Sequence, residues 1–439
     1  MMQASAFTRR RFLGVCAWSV LGAPAILRAA PLLDKTDSAA DAALGEIWRR
    51  FVTSRHDTML HYSGLDGELI LPTPEDCAAA RPNGMSWSTP IEDGPFFGGL
   101  LLAGLCRRWE RLRSDQAAAD ARRIAGGLTG LADVGATPGF IPRGFASDGR
   151  AYYPASSEDQ MLPWFYGLWR YVRSGIPSSQ EKATIRARLV GTALALESHG
   201  WQIPCDPLSF GYRGSYMRPR HTDCARLLFL HRALFDLTGD ERWLERYRLL
   251  ADEPLGPQRK TRRQWCAVGM DYGPPTKADT YLWTSSMSQA ALRALWEMET
   301  NRDWREDFSR GLTASAVAAL PHLERYRRFD SNNRLRFDVD WRFLNVSWKP
   351  QRNCDEAISL ARQQLPLWAL HNPRSPWEDD TMREPLFAAW IVALAPDPGL
   401  RAETSSSLAA LLGHYPWRRL YTSLFFIAVC LQAELAAHS

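Results

Sequence analysis

The sequence predicts an all-α protein: a closed ring of six antiparallel helical hairpins, with the long loops on one face and a central crevice between them. Three observations lead there. Apolar residues recur at helical spacing along nearly the whole chain. Strand-like alternation is confined to one short run, Leu335 to Trp341. Short turns alternate with long connections rich in Gly, Pro and aromatic residues, as in stacked helical pairs.

The spacing predicts helices over 41–62, 95–113, 116–132, 159–174, 180–200, 221–237, 240–251, 280–299, 302–327, 354–370, 377–395, 402–413 and 417–436. The segment 221–237 shows the pattern: Ala225, Leu228, Phe229, Arg232 and Phe235 alternate faces as in an amphipathic helix, and Leu227, Leu230 and Leu234 widen the apolar stripe. Helix starts are marked by Ser157 before Glu158, by Ser178 before Glu181, and by Thr238-Gly239-Asp240 between two paired helices. Long loops fall at 63–94, 133–158, 201–220, 252–279 and 328–353. Loops of this length inside a folded domain are more often functional than idle.

Composition sets the outer limits. With 46% hydrophobic and 23% charged residues among 439, the chain is neither disordered nor collagen-like. Its formal charge is +5, but residues 1–30 contribute four arginines and no acid, leaving 49 bases against 48 acids in the rest. A near-neutral body gives no electrostatic reason for nucleic acid or an anionic membrane as a partner. The start reads Thr8-Arg9-Arg10-Arg11-Phe12-Leu13, then an apolar stretch to Leu27 and a small-residue exit at Ala29-Ala30. A basic head, a short apolar middle and a small-residue exit make up an export signal, and the paired arginines resemble the twin-arginine class. Residues 1–30 are therefore expected to be removed on export by the twin-arginine machinery. Residues 31–439 would form one domain, periplasmic or secreted, with no stable membrane association after cleavage. Seven cysteines follow the leader with no CxxC pair, which speaks against a structural zinc site.

Three stretches concentrate chemistry-bearing residues. The first runs from Trp87 through Glu92-Asp93-Gly94 to Gly98-Gly99 and sets adjacent carboxylates at a helix start. Capping by Asp93 is the plainer account of it. The second carries Arg143, then Ser157-Glu158-Asp159-Gln160, with Trp164, Tyr166 and Trp169 on the helix that follows. Flat rings beside acids and an arginine suit a sugar, whose C–H faces stack on aromatics while its hydroxyls seek charged groups. The third includes Tyr216, Arg220 and His221 at another helix entrance. Trp283, beside Thr284 and two serines, is a further candidate for lining the crevice, whereas Trp377-Glu378-Asp379-Asp380 reads as an ordinary acidic helix start. There is no phosphate-cradling Gly loop, GxSxG, HExxH or EF-hand pattern, so neither cofactor nor metal is expected.

With Asp93 ahead of a Gly-rich helix and Glu158-Asp159-Gln160 ahead of an aromatic one, the chain resembles the six-hairpin glycosidase superfamily. These junctions are similar to the acid-bearing loop-to-helix junctions of unsaturated glucuronyl and rhamnogalacturonyl hydrolases. The resemblance implies an (α/α)6 toroid over roughly residues 40–436. It also implies a glycoside hydrolase acting on an oligosaccharide or polysaccharide fragment, uronic-acid-containing ones included. On that basis Asp159 is expected as proton donor or general acid/base with Asp93 second, and Glu92 and His221 complete the catalytic candidates. Trp87, Arg143, Gln160, Trp164, Tyr166, Tyr216, Arg220 and Trp283 are the expected substrate contacts. Two alternatives stay open: a polysaccharide lyase using Tyr216 or His221 as base with Arg220 neutralising a uronate, and a glycan-binding protein without catalysis.

The leader reading has a direct test. Replacing Arg9 and Arg10 by Lys is expected to strand the precursor in the cytoplasm, read by fractionation; unchanged export would reject the twin-arginine assignment.

Overall fold

Helix accounts for 65% of the structure and strands for almost none, so the class is all-α. The structure, a computed structural model, describes residues 26–270 and 282–437, with side chains from residue 34 onward. The leader up to Ala25, the loop portion 271–279 and the first two residues of the expected helix 280–299 lie outside the described residues.

The described helices, in chain order, are α1 (Ile26–Glu46), α2 (Pro74–Ala78), α3 (Gly94–Leu112), α4 (Asp115–Leu131), α5 (Glu158–Arg173), α6 (Ser179–Ser198), α7 (His221–Thr238), α8 (Glu241–Ala251), α9 (Arg262–Val268), α10 (Leu282–Met298), α11 (Arg302–Leu323), α12 (Cys354–His371), α13 (Arg374–Glu378), α14 (Glu384–Ala393), α15 (Pro398–Leu412) and α16 (Ile427–Ala436). Two small antiparallel ribbons join them, β1 (Gln202–Pro204) with β2 (Tyr212–Ser215) and β3 (Pro254–Leu255) with β4 (Lys260–Thr261). No described helix is long and apolar enough to cross a membrane.

Eleven of the helices fall into two kinds. α3, α5, α7, α10, α14 and α16 are buried nearly all round. α4, α6, α8, α11 and α15 bury one stripe and face water with the other side. Among the first kind, α3 packs on α5, α5 on α7, α7 on α10, α10 on α14, α14 on α16, and α16 returns to α3. The outer helices lean on them: α4 on α3 and α5, α8 on α7, α11 on α10 and α14, and α1 on α15 and α16.

Local chemistry sets the reversals. Arg113 takes a left-handed conformation after α3 and returns its N–H to the Trp109 carbonyl, and Ser114 then caps α4. Gly239, at φ 68°, closes α7, and Asp240 caps α8 through the Arg242 N–H. Ser178 and Glu181 form a reciprocal capping box at the start of α6.

One of the closest helix–helix contacts in the fold is bare backbone. A Cβ added to Gly99 of α3 would lie 2.0 Å from the Pro163 carbonyl oxygen of α5, and one on Gly167 would lie 2.3 Å from the Gly99 carbonyl oxygen. The two ends of the described chain also meet. Arg50 pairs with Glu46 at 3.0 Å and donates to the carbonyls of Leu420 and Trp417, at 2.8 and 3.1 Å. Buried Glu378 accepts from the backbone N–H groups of Tyr421 and Thr422.

Several expected elements differ in extent. The helix read as 41–62 ends at Phe51 after a π-helical turn, and the chain then pairs Val52 with Met59 and Tyr62 with Thr422 in isolated bridges. The helix read as 377–395 is broken into α13, a π-helical turn at Asp379–Arg383, and α14. Leu335 to Trp341 forms no ladder: Asp338 N–H donates to Asn372, and Trp341 opens a 3-10 helix. The expected long loops pack on one another around three small apolar clusters, for example through Trp341 Nε1 to the Ile70 carbonyl at 2.9 Å.

The α3–α5 contact yields a stability prediction. Gly99→Ala forces backbone against backbone and is expected to cost about 3 kcal/mol or more, read by denaturant unfolding. Gly126→Ala on α4, where the added methyl meets nothing within 4 Å, is expected instead to stabilise by about 0.5–1 kcal/mol.

Candidate functional site

Because α3 and α5 approach so closely, their N-terminal ends meet, and each begins with carboxylates. Asp93 immediately precedes α3 and Asp159 lies in the first turn of α5. Gln160 joins the two ends: its Nε2 donates to Asp93 Oδ1 at 2.6 Å and its Oε1 accepts from the Phe96 N–H at 3.2 Å. Arg143, from the loop before α5, reaches the Glu92 carbonyl at 2.9 Å, Asp93 at 3.3 Å and the Ser157 hydroxyl at 3.1 Å.

Asp93 makes no capping hydrogen bond to its own helix. Its side chain, 3% exposed, is surrounded by donors: Gln160 and Arg143 on Oδ1, and His61 Nδ1 on Oδ2 at 3.1 Å. Such a carboxylate holds others in place. The neighbouring Glu92 is the opposite case. It accepts one backbone hydrogen bond, from Ser88 at 2.7 Å, and lies 3.8 Å from His61 Nδ1. Burial, reinforced by the Asp93 charge, pushes its carboxyl up to about 7. Burial alone would lower the His61 imidazole, but the Glu92 charge and the hydrogen bond to Asp93 outweigh it and raise the group. His61 and Glu92 remain 16% and 17% exposed, so the pair sits in a recess that solvent still reaches.

A second group surrounds Asp159. Its carboxylate, 28% exposed, pairs with Arg226 of α7 at 3.1 Å. Burial raises its pKa, Arg226 opposes the rise and the neighbouring Glu158 adds to it. Glu158 is itself buried. Desolvation would raise it, but Arg213, Arg218 and Arg226 together hold it below the usual carboxylate range. Arg218 contacts it at 2.5 Å, and Gly214 lies so close that an added Cβ would strike its carboxylate. On the far side, Asp379 opens the π-helical turn before α14 and is raised by burial. Its partner Arg383 sits 2.9 Å away and lies over the Trp283 ring, which stacks on Phe96 of α3.

The expected residues thus divide. Glu92, Asp93, Arg143 and Gln160 come together, Asp159 stands beside Gln160 in the first turn of α5 and pairs with Arg226, and Trp283 adjoins the group through Phe96. Arg220 pairs with Asp223 at 2.6 Å and lies 3.9 Å from Glu158. Trp164 is wholly buried with its Nε1 on the Leu128 carbonyl, and Tyr166 packs against Trp169 and Phe229, so neither offers a ring face to a ligand. Tyr216 is buried and donates to the Glu158 carbonyl at 3.2 Å. His221 is buried too, its Nδ1 on the Cys266 carbonyl, and desolvation lowers it to about 4. Trp87 is half-buried, fixed at both backbone ends by Asn83.

His61, Arg226 and Asp379 are the residues that sequence reasoning passed over. Arg226 carried a signal: an arginine amid the apolar residues of 221–237 needs a buried partner. His61 carried none, since only folding brings it to Asp93 across 32 positions. His61, Glu92 and Asp93 could also be considered as metal ligands, because their donor atoms lie within 4.8 Å of one another. Asp93 already accepts from Arg143, and a guanidinium there repels a cation, so the set suits proton handling better.

The Glu92 environment predicts how stability varies with pH. A carboxyl raised from its ordinary 4.5 to about 7 binds its proton more tightly in the folded chain. Its stabilising contribution is therefore full below 4.5 and is lost as pH rises through 7. The raised His61 acts in the same direction. Glu92→Gln removes the first effect and the Glu92 share of the second, so the variant's melting temperature should gain on the parent's between pH 5 and pH 8; parallel melting profiles would contradict the buried-acid assignment. Compared with known proteins, the chain matches no family model and no curated protein.

Proposed function

We propose that the protein is a glycoside hydrolase of (α/α)6 toroid architecture, acting on an oligosaccharide with two carboxylates at the ends of α3 and α5. The cyclic order of contacts among the six buried helices supports the toroid reading. One observation carries the chemistry: Glu92, pushed up to about 7 by burial, and the Arg226-paired Asp159 stand at two helix starts that Gln160 and Arg143 tie together. Two carboxylates in unequal surroundings divide the acid and base roles. Glu92 holds a proton to deliver to the leaving oxygen. Asp159, tied to a guanidinium, serves as the charged partner on the sugar. This exchanges the order of roles expected from sequence, where Asp159 was the acid and Asp93 its second. Asp93, saturated by three donors, orients His61 and Arg143.

The lyase alternative with Tyr216 or His221 as base is disfavoured, since both are buried and hydrogen-bonded to backbone carbonyls. A binding protein without catalysis would have no need for an acid tuned to neutral pH.

The test is a panel of neutral and acidic oligosaccharides with the purified protein. A new reducing end is the expected product; an ultraviolet-absorbing unsaturated product would replace hydrolase by lyase. Binding without turnover would leave the glycan-binding reading. On an established substrate, Glu92→Gln and Asp159→Asn should each lose ~100-fold or more in kcat. Near-normal turnover by either folded variant would dismiss its role.

A further inference from the structure

Two thiols meet outside the recess. Cys205 directly follows β1, and Cys354 is the first residue of α12. Both are buried in a small apolar cluster with Met85, Ala155, Phe210 and Ala357. A side-chain hydrogen bond links the two thiols inside this cluster. The backbone around them is fixed: the Cys205 N–H donates to the Gly211 carbonyl at 2.9 Å, and a Cβ on Gly211 would stand 4.0 Å from the Cys354 Cβ. Side-chain contact between cysteines 149 positions apart leaves only a small movement between the dithiol and a disulfide.

We propose that Cys205 and Cys354 form a reversible disulfide that ties the β1–β2 hairpin to α12. The surroundings set the order of events. The hydrogen bond to Cys205, with Arg213 nearby, holds the Cys354 thiol below its ordinary range against burial, as a helix N-terminus also favours. Cys205 is pushed up by the same hydrogen bond and by burial. The Cys354 thiolate therefore attacks first. With a disulfide oxidant such as oxidised glutathione, its sulfur bonds to one glutathione sulfur and expels the other as thiolate. Cys205 then gives up its proton, attacks the Cys354 sulfur and expels the second glutathione. Two protein thiols are oxidised, and one glutathione disulfide is reduced to two thiols. Because both sulfurs are buried, the hairpin must lift from α12 to admit the oxidant.

The bond has a consequence for the acid recess. The same hairpin carries Arg213 and leads to Tyr216 and Arg218, the groups around Glu158. Tying its base to α12 restricts how far those groups can withdraw from α5.

The test equilibrates the purified full chain in glutathione buffers of graded redox ratio, starting from both reduced and oxidised samples until they converge. Alkylation under denaturing conditions and peptide mass spectrometry then identify the linked cysteines. Expected is a Cys205–Cys354 peptide pair in oxidising buffer, two fewer alkylated thiols and a higher melting temperature. Cys205→Ser should instead trap glutathione on Cys354, whereas Cys354→Ser should leave Cys205 unmodified. Full alkylation under the most oxidising condition, or linkage through Cys224 or Cys266 in place of this pair, would overturn the proposal.

Discussion

The approach of α3 to α5 is the constraint on which the polar site depends, because nothing but hydrogen separates the two backbones at Gly99, Pro163 and Gly167. At a wider spacing Gln160 could not reach both Asp93 and the Phe96 N–H. Arg143 would then lose its bridge from the Glu92 carbonyl to the Ser157 hydroxyl. The glycines of α3 are thus a condition for the site as well as for packing. Pro163 adds to this. It has no N–H to donate to the Asp159 carbonyl, so the first turn of α5 is loosened where its carboxylates must find partners.

Helix starts favour ionised carboxylates, whereas burial favours protonated ones, and the site contains both outcomes side by side. The difference lies in donors. Asp93 has three side chains donating to it, while Glu92 has one backbone N–H and a histidine that already points at Asp93. Desolvation therefore acts on Glu92 with little compensation. Asp159 and Asp379 follow a related rule: burial raises each, and one arginine facing each, Arg226 or Arg383, limits the rise.

Periodicity made the helices from 95 to 132 and from 159 to 251 legible to within two residues, because apolar residues recur at helical spacing through each and polar or glycine-bearing turns separate them. It failed where long-range contacts decide the backbone. The segment after Phe51 looks helical in its apolar spacing, yet it turns back to pair Val52 with Met59 and then pairs Tyr62 with Thr422. The run from Leu335 to Trp341 alternates correctly but has no partner strand, and its polar groups bond to Asn372 and Ile70 instead. The same limit applies to the site. Glu92, Asp93, Asp159 and Gln160 were legible because they cluster at helix starts. Trp164 and Tyr166 share that neighbourhood in sequence, but lie on faces of α5 turned into the core.

The acidic run at Trp377 shows most clearly why chemistry was hidden in an ordinary-looking motif. Glu378 and Asp379 are adjacent, but the π-helical turn beginning at Asp379 separates their tasks. Glu378 goes inward to bind Arg374 and the backbone of Tyr421 and Thr422, fixing the C-terminal segment against α13. Asp379 stays partly exposed, close enough to His61 for each to act on the other's charge. An uninterrupted α-helix from 374 to 393 would place later residues about 100° out of register per position inserted, turning Trp283's partner Arg383 away from the recess. The π turn thus lets one short acidic stretch both hold the C-terminal segment and set Asp379 where its charge acts on His61.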